Sequence, residues 1–304
     1  MYLYYINYKN EEKSLCHLEM KSLFGVVPND KYFITDKYIN ENRSPFIKYM
    51  LKILDYSNNL EELVNKVKLR ELKIESYKVK FLDIEKDIDF ENKHKIEGII
   101  GYEIIGDVDM YNPRVIYGIT KIDGVWYFGE YSKNNKPWIE HSLRPCQYSN
   151  SLSTTLARTV VNIAVGDNYN WKIIDPCCGI GTVLIEALSM GLNIVGSDIN
   201  PKVVEGSNRN LRFFELPEVA SLKDINEIEE NYDVCIIDIP YGLLSRTSKE
   251  EQQKILNSAR RISKRLVLLS LDDMTAEIEN AGFKIIEKCE AYKKNFKRYL
   301  TLCV

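Results

Sequence analysis

The sequence lacks several features that define whole classes of protein. Its 304 residues include only three histidines, and its seven cysteines form no C-x-x-C pair, so neither a zinc site nor a disulfide framework is predicted. No apolar run approaches the ~18 residues that a membrane span needs, and the N-terminal stretch has no basic flank or cleavage site. We therefore expect a cytoplasmic protein with reduced cysteines, no metal and no membrane partner.

An excess of positive charge is also missing. The formal net charge is −3, and neither half of the chain is net positive. A strongly basic nucleic-acid binder is therefore excluded, so any contact with RNA must come from local patches. With 45% hydrophobic and 28% charged residues, the composition is that of a soluble globular protein, and the length is sufficient for two domains.

What is present is centred on the stretch 171–201. Residues 171–174 form a short apolar run that predicts a buried strand, and Asp175 follows at its carboxyl end. The next residues, PCCGIGT, predict a tight loop. Gly179 and Gly181 let the backbone of this loop approach a ligand closely, because no Cβ stands in the way.

A second acid follows at the spacing of a nucleotide-binding fold. A helix is predicted for 182–190 and a strand for 193–197, which ends on Asp198. In an open α/β sheet, ligands bind outside the carboxyl ends of the strands, and an acid after the second strand can bind ribose hydroxyls. Asp175 and Asp198 therefore predict a site for a nucleoside-containing ligand.

The loop favours S-adenosylmethionine (SAM) over a dinucleotide. A dinucleotide fingerprint needs a third glycine, whereas this chain has G-I-G with the carboxylate of Asp175 four residues ahead. A carboxylate at the first turn repels a pyrophosphate and attracts a ligand with an ammonium and a sulfonium group. An ordinary α/β turn without a ligand is the alternative that these residues leave open.

A second motif indicates chemistry on an amine. The apolar run 233–237 predicts a strand, and it ends in Asp238-Ile239-Pro240-Tyr241. The carboxylate of Asp238 and the carbonyl of Ile239, which Pro240 restricts, can both accept hydrogen bonds from an exocyclic NH₂ group. Such acceptors aim the nitrogen lone pair, and Tyr241 can stack on an extruded base. A strand that ends in an ordinary turn is the structural alternative.

Together these motifs resemble a known family. The run DPCCGIGT, with IEA after it and then GSDINP, resembles class I SAM-dependent methyltransferases that modify exocyclic amines of bases, and within them the THUMP-containing tRNA guanosine-N2 methyltransferases. Asp238 to Tyr241 resembles their D-P-P-Y motif, with Ile239 in place of the first proline. The resemblance is strongest over residues 138–242. It implies that SAM contacts a set of loop residues, namely Asp175, Cys177, Cys178, Gly179, Gly181, Thr182, Asp198, Ile199, Asp224 and Ile225, and that Asp238, Pro240 and Tyr241 are catalytic.

The resemblance also implies two domains. Residues 146–304 are expected to form a Rossmann-like seven-stranded methyltransferase domain, α/β in class, with a mostly parallel sheet and an antiparallel last strand. Residues 1–145 are expected to form an α+β region that includes a THUMP-like RNA-binding domain at about 58–131, where a helix, a strand, a helix and a hairpin follow one another. Before that domain, the stretch 45–55 is predicted to be a helix.

Basic and aromatic residues alternate near the C-terminus. A basic cluster that includes Lys288, Lys297 and Arg298, interleaved with aromatic residues such as Tyr299, is expected either to meet phosphates and stack a base or simply to form a solvated hairpin. Of the three histidines, none is assigned a catalytic role, and all are expected at the surface.

Three functions remain in competition at this point. The first is methylation of a guanine N2 in RNA, with tRNA as the expected substrate. The second is methylation of an adenine amine or a protein glutamine amide, since both present a planar NH₂ group to a similar loop. The third is a non-catalytic SAM- or RNA-binding module, which Ile239 and the acidic balance make conceivable.

Overall fold

The computed structural model describes residues 1–148, 151–240, 248–293 and 296–304. They divide into two compact units. Unit 1 comprises 1–7, 28–42 and 46–135, and unit 2 comprises 8–27, 43–45 and 136–304. The chain thus passes between the units more often than a single boundary after residue 145 would require. No helix in the described parts of the chain is long and apolar enough to cross a membrane.

Unit 1 is a seven-stranded sheet with two helices. The strand order is β2-β1-β3-β7-β6-β4-β5. Its strands are β1 (Tyr2–Ile6), β2 (Tyr32–Thr35), β3 (Ile47–Ser57), β4 (Lys73–Phe81), β5 (Ile105–Val108), β6 (Val115–Ile122) and β7 (Val125–Lys133), and its helices are α2 (Leu60–Leu69) and α3 (Phe90–Tyr102). Buried residues of both helices pack with Tyr77, Tyr117 and Phe128 of the sheet in one apolar cluster.

Capping and turn residues in the sequence predict most of the helices and strands of unit 1. Asn59 caps α2 by accepting hydrogen bonds from the N–H groups of Glu61 and Glu62. Asp123 and Gly124, both with positive φ, form the turn between β6 and β7, as the Asp-Gly pair predicts. The predicted order of helix, strand, helix and hairpin is present, with the additional strand β5 before the hairpin.

The predicted helix at 45–55 is wrong. Residues 47–55 of this stretch belong to β3, which pairs antiparallel with β1 on one side and with β7 on the other. Ile47, Met50, Leu51 and Leu54 have the spacing of a helical face, but the segment is also rich in the β-branched and aromatic residues that suit a strand. Because β1 and β7 both offer backbone hydrogen-bond partners, strand pairing overrides the helical spacing of these apolar residues.

Unit 2 has the predicted methyltransferase architecture. Its sheet has the order β10-β9-β8-β11-β12-β14-β13. The strands from β10 to β12 are parallel, and β14 is antiparallel to both of its neighbours. The strands are β8 (Lys172–Asp175), β9 (Asn193–Asp198), β10 (Ala220–Leu222), β11 (Tyr232–Asp238), β12 (Ser263–Ser270), β13 (Ile285–Lys293) and β14 (Phe296–Cys303).

Helices cover both faces of this sheet. They are α1 (Lys13–Phe24), α4 (Thr154–Val165), α5 (Thr182–Ser189), α6 (Pro201–Phe213), α7 (Lys249–Ile262) and α8 (Thr275–Asn280). Cys235 and Ile237 of β11 pack with Leu256 of α7, whereas Val234 and Ile236 are fully buried on the other face, where α4 contacts β11. This continuous apolar strand is typical of a parallel sheet buried on both faces.

Candidate active site at the carboxyl edge of the parallel strands

Four carboxylates lie at one edge of the unit 2 sheet. Asp175 ends β8, Asp198 ends β9 and Asp238 ends β11, while Asp224 lies two residues beyond β10. The four strands are adjacent and parallel, so their carboxyl ends meet at the same edge. The structure therefore brings together the acids that the sequence singled out.

The glycine loop folds back onto two of these acids. Asp175 Oδ1 accepts a hydrogen bond from the Cys177 N–H at 3.2 Å, and Asp198 Oδ2 accepts one from the Gly179 N–H at 3.1 Å. The Cys178 N–H donates to the Ser197 carbonyl at 3.0 Å. These bonds fix the path of the loop between β8 and α5.

The two predicted glycines have different reasons to be glycine. Gly181 precedes α5 with φ of 79°, and a Cβ there would lie 2.3 Å from the Ser207 hydroxyl. Gly179 also has positive φ, but a Cβ there would meet nothing within 4 Å, so open space borders the loop at that point. Thr182 begins α5, and its buried hydroxyl has no hydrogen-bond partner among the described residues.

The electrostatics of this edge suit a cation. Burial raises the pKa of Asp175 well above its usual value, and the charges of Asp238 and Asp198 raise it further. Burial also raises the pKa of the Cys177 thiol, and the surrounding carboxylates add to that rise. The thiol is therefore neutral at physiological pH and unsuited as a nucleophile, whereas a ligand with a sulfonium and an ammonium group lowers the repulsion among the acids.

The remaining predicted cofactor residues differ in their exposure and in their hydrogen bonds. Asp198 Oδ1 accepts from the Asn200 N–H at 2.9 Å, and the adjacent Ile199 is 73% exposed. Asp224 caps a short 3₁₀ turn by accepting from the Asn226 N–H at 2.8 Å. The side chain of Ile225 is buried and packs in the apolar core, so only its backbone is available to a ligand.

The amine-directed motif is held by the sheet. Asp238 is the last residue of β11, with its side chain 21% exposed. The next residue, Ile239, is buried and its N–H donates to the Leu269 carbonyl at 3.0 Å, which anchors the peptide after the acid. Pro240 closes the described segment, and Tyr241 lies outside the described residues.

Sequence reasoning missed a buried ionic network beside the loop. Arg158 of α4 donates to Glu186 of α5 at 2.9 Å, and the His141 Nδ1 lies 2.7 Å from the other oxygen of the same carboxylate. The Arg158 and Glu186 side chains are 5% and 0% exposed, and that of His141 is 13% exposed, so the expected surface position of this histidine is wrong. The pairing joins distant segments, and no local pattern indicates it.

A second buried carboxylate predicts a pH dependence of stability. Glu19 is fully buried and accepts hydrogen bonds from Asn162 at 2.7 Å and from the Ser44 hydroxyl. Burial raises the pKa of Glu19 from 4.5 to about 7. Because the folded state binds this proton more tightly than the unfolded state, stability falls as pH rises from 4.5 to 7, by up to about 3 kcal/mol. Glu19→Gln should flatten this part of the profile.

Urea unfolding at pH 5 and pH 8 measures this effect. We expect the wild-type chain to lose more unfolding free energy between the two pH values than Glu19→Gln does. Glu11→Gln, at an exposed position nearby, is the matched control and should retain the wild-type difference. An equal loss in the wild type and in Glu19→Gln would contradict the assignment.

This chain is similar in sequence to known methyltransferases. A model of the RMKL-like methyltransferase domain matches residues 141–277. The tRNA (guanine(10)-N2)-dimethyltransferase of Methanothermobacter thermautotrophicus is 27% identical over 227 residues, which cover 71% of this chain and 67% of that protein. A probable tRNA (guanine(10)-N2)-dimethyltransferase of Methanothermococcus thermolithotrophicus is 32% identical over 42% of this chain and 85% of its own length. The U6 snRNA (guanine-N(2))-methyltransferase THUMPD2 of Bos taurus is 31% identical over 33% of this chain and 22% of that protein.

Proposed function

We propose, because this chain belongs to the family of SAM-dependent RNA guanine-N2 methyltransferases, that it transfers a methyl group from SAM to the exocyclic N2 of a guanosine in tRNA. The observation that carries the proposal is the position of Asp238, an acceptor for an amine, at the same sheet edge as the glycine loop and its carboxylates. The proposed substrate also implies the cytoplasm as the place of reaction.

SAM fits the residues at this edge. The open space beside Gly179 accommodates a ligand against the loop, and Thr182 offers a buried hydroxyl. Asp198 would accept hydrogen bonds from the ribose hydroxyls, and Asp224 from the adenine amino group. When bound, SAM supplies a methyl group already activated by its sulfonium. Because Asp175 and its neighbours attract a cation more than a neutral molecule, they favour SAM over the neutral product that remains after transfer.

The protein's task is then to aim the amine. The N2 lone pair of guanine is delocalised into the ring, so the nitrogen is a weak nucleophile. Asp238 accepts a hydrogen bond from the NH₂ group, and the carbonyl of Ile239 serves as a second acceptor, which localises the lone pair on nitrogen. The N–C bond would form as the methyl–sulfur bond of SAM breaks and its electron pair stays on the thioether, and Asp238 would accept the proton that the cationic nitrogen releases. Positioning and charge stabilisation thus account for the catalysis.

Methyl transfer to separate substrate pools tests this function. Labelled SAM is supplied with modification-free tRNA, DNA or protein, and the labelled product is digested and identified. We expect N2-methylguanosine from tRNA. Label in adenine or in protein glutamine would move the chain to the second function considered above. SAM binding without transfer to any pool would identify a non-catalytic module.

We also propose that the THUMP-like region at 58–131 binds RNA and that 146–304 is the catalytic domain. Support comes from the element order in unit 1 and from the exposed Tyr111, which is 93% accessible in a turn that Asp109 stabilises. Exposed aromatic side chains can stack on unpaired bases. Ultraviolet cross-linking of tRNA to the whole chain checks this placement, since we expect cross-linked peptides from 58–131, and their absence would contradict it.

A further inference from the structure

A buried arginine lies next to the acid at the end of β11. Arg298 belongs to β14, is 3% exposed, and its Nε lies 3.8 Å from Asp238 Oδ1. Its neighbour Lys297 is exposed and bonds to Glu290 at 2.8 Å. The sequence had grouped both cations in one basic cluster. Burial separates them, because Arg298 lies within the sheet and Lys297 faces solvent.

The sheet register explains how Arg298 reaches this position. Asp238 pairs with Leu269 of β12, which pairs with Leu300 of β14. Paired residues project to the same face, and Arg298 lies two positions from Leu300, so it shares that face. The distance from β11 to β14 is roughly 10 Å, two strand spacings, which a long arginine side chain can bridge towards the carboxyl edge.

The carboxylates near Asp238 explain why a positive charge beside it matters. Asp238 interacts electrostatically with Asp175, and Asp198 lies at the same edge. Neighbouring carboxylates favour protonation of one another, and a protonated carboxyl group is a poorer acceptor for an amine. A guanidinium beside Asp238 opposes this repulsion. An arginine remains charged at any physiological pH, so its support is constant.

We propose that Arg298 is a positioning residue that holds the Asp238 carboxylate ionised and fixed in orientation, so that its second oxygen is directed at the N2 amine. Arg298 acts through Asp238 and does not touch the substrate. The inference rests on the proposed function and names a further residue of the same site. It assigns to Arg298 a role different from both alternatives that its sequence neighbourhood left open, a phosphate contact and a solvated hairpin.

Arg298→Met and Arg298→Lys test the proposal in the whole chain. Methionine keeps much of the apolar volume and removes the charge, and we expect kcat for tRNA methylation to fall about 100-fold, the loss typical of a misplaced reacting group. KM for tRNA and Kd for SAM should stay near wild-type values. Arg298→Lys should recover part of kcat, because it restores the charge without the planar fork. Lys297→Met, at the adjacent exposed position, should leave kcat unchanged.

A double-mutant cycle separates positioning from a general structural role. In the Asp238→Asn background, Arg298→Met should reduce kcat no further, because the group through which it acts is already gone. A full additional loss in that background would overturn the proposal, as would wild-type kcat in Arg298→Met. An increase confined to the KM for tRNA would indicate a phosphate contact and also overturn it.

Two further measurements keep the outcomes distinct. Thermal melts show whether Arg298→Met folds. If it does not, Arg298→Lys is used in its place. A folded Arg298→Lys chain with kcat as low as that of Asp238→Asn would then refute the proposal that the charge of Arg298 supports Asp238. A wild-type chain that methylates no guanosine overturns the proposed function and this inference together. A wild-type chain that methylates guanosine while Arg298→Met does so equally well overturns the inference alone.

Discussion

Asp238→Asn should lower kcat for guanosine methylation by about 10²- to 10⁴-fold, the range typical of groups that accept a proton in the transition state. Asparagine keeps the size of the side chain and one oxygen acceptor but loses the negative charge. The amine is then neither polarised as strongly nor relieved of its proton. Single-turnover transfer of labelled methyl groups to tRNA measures the residual rate.

The same variant should bind SAM normally, since the glycine loop is bonded to Asp175 and Asp198, which this substitution leaves in place. Asp233→Asn is the matched control. It makes the same chemical change at the start of β11, where the carboxylate accepts from the Lys172 N–H at 2.8 Å, and it should keep the wild-type rate. Substantial methylation by Asp238→Asn would refute the assigned role.

Glu186→Ala should destabilise the protein by about 3–5 kcal/mol, the cost of leaving one member of a buried pair without its partner. Glu186 is fully buried, and its two carboxylate oxygens lie 2.9 Å from Arg158 Nη1 and 2.7 Å from His141 Nδ1. Alanine leaves the Arg158 charge buried without this carboxylate. Because Glu186 lies in α5, directly after the glycine loop, we also expect weaker SAM binding.

Urea unfolding at pH 7 measures this loss of stability. The matched control is Glu205→Ala, which removes an ion pair of the same length, 2.9 Å to Arg212, between side chains that are 72% and 53% exposed. Exposed pairs contribute about 0–1 kcal/mol, so this control should unfold nearly as the wild type does. Similar losses in both variants would show that burial of the Glu186 pair has no special cost.

The site could be predicted where local sequence determines it. A short apolar strand, a turn with glycines and a terminal acid are consecutive residues, so the local pattern singles out Asp175, Gly179 and Gly181 as candidates. The fold of the sheet then brings Asp198 and Asp238 to the same edge, because carboxyl ends of adjacent parallel strands meet there. The alternation of helices and strands in unit 2 indicated this topology.

The failures have a common physical cause, which is contact between distant segments. Residues 45–55 carry a helical spacing, and only pairing with β1 and β7 makes 47–55 a strand. Arg298 lies 60 positions after Asp238 and meets it across an intervening strand. The pair of Arg158 and Glu186 joins two helices. Such partners leave no periodic signal in a single sequence.

Methyl transfer to two matched tRNA transcripts tests the central claim most directly. One transcript contains guanosine, and the other contains inosine at every guanosine, which removes the N2 amine and keeps the O6 and N7 atoms of the base. The account predicts labelled N2-methylguanosine from the first transcript and no label in the second. Equal labelling of both transcripts would show that the methyl group goes to another atom and would contradict the account.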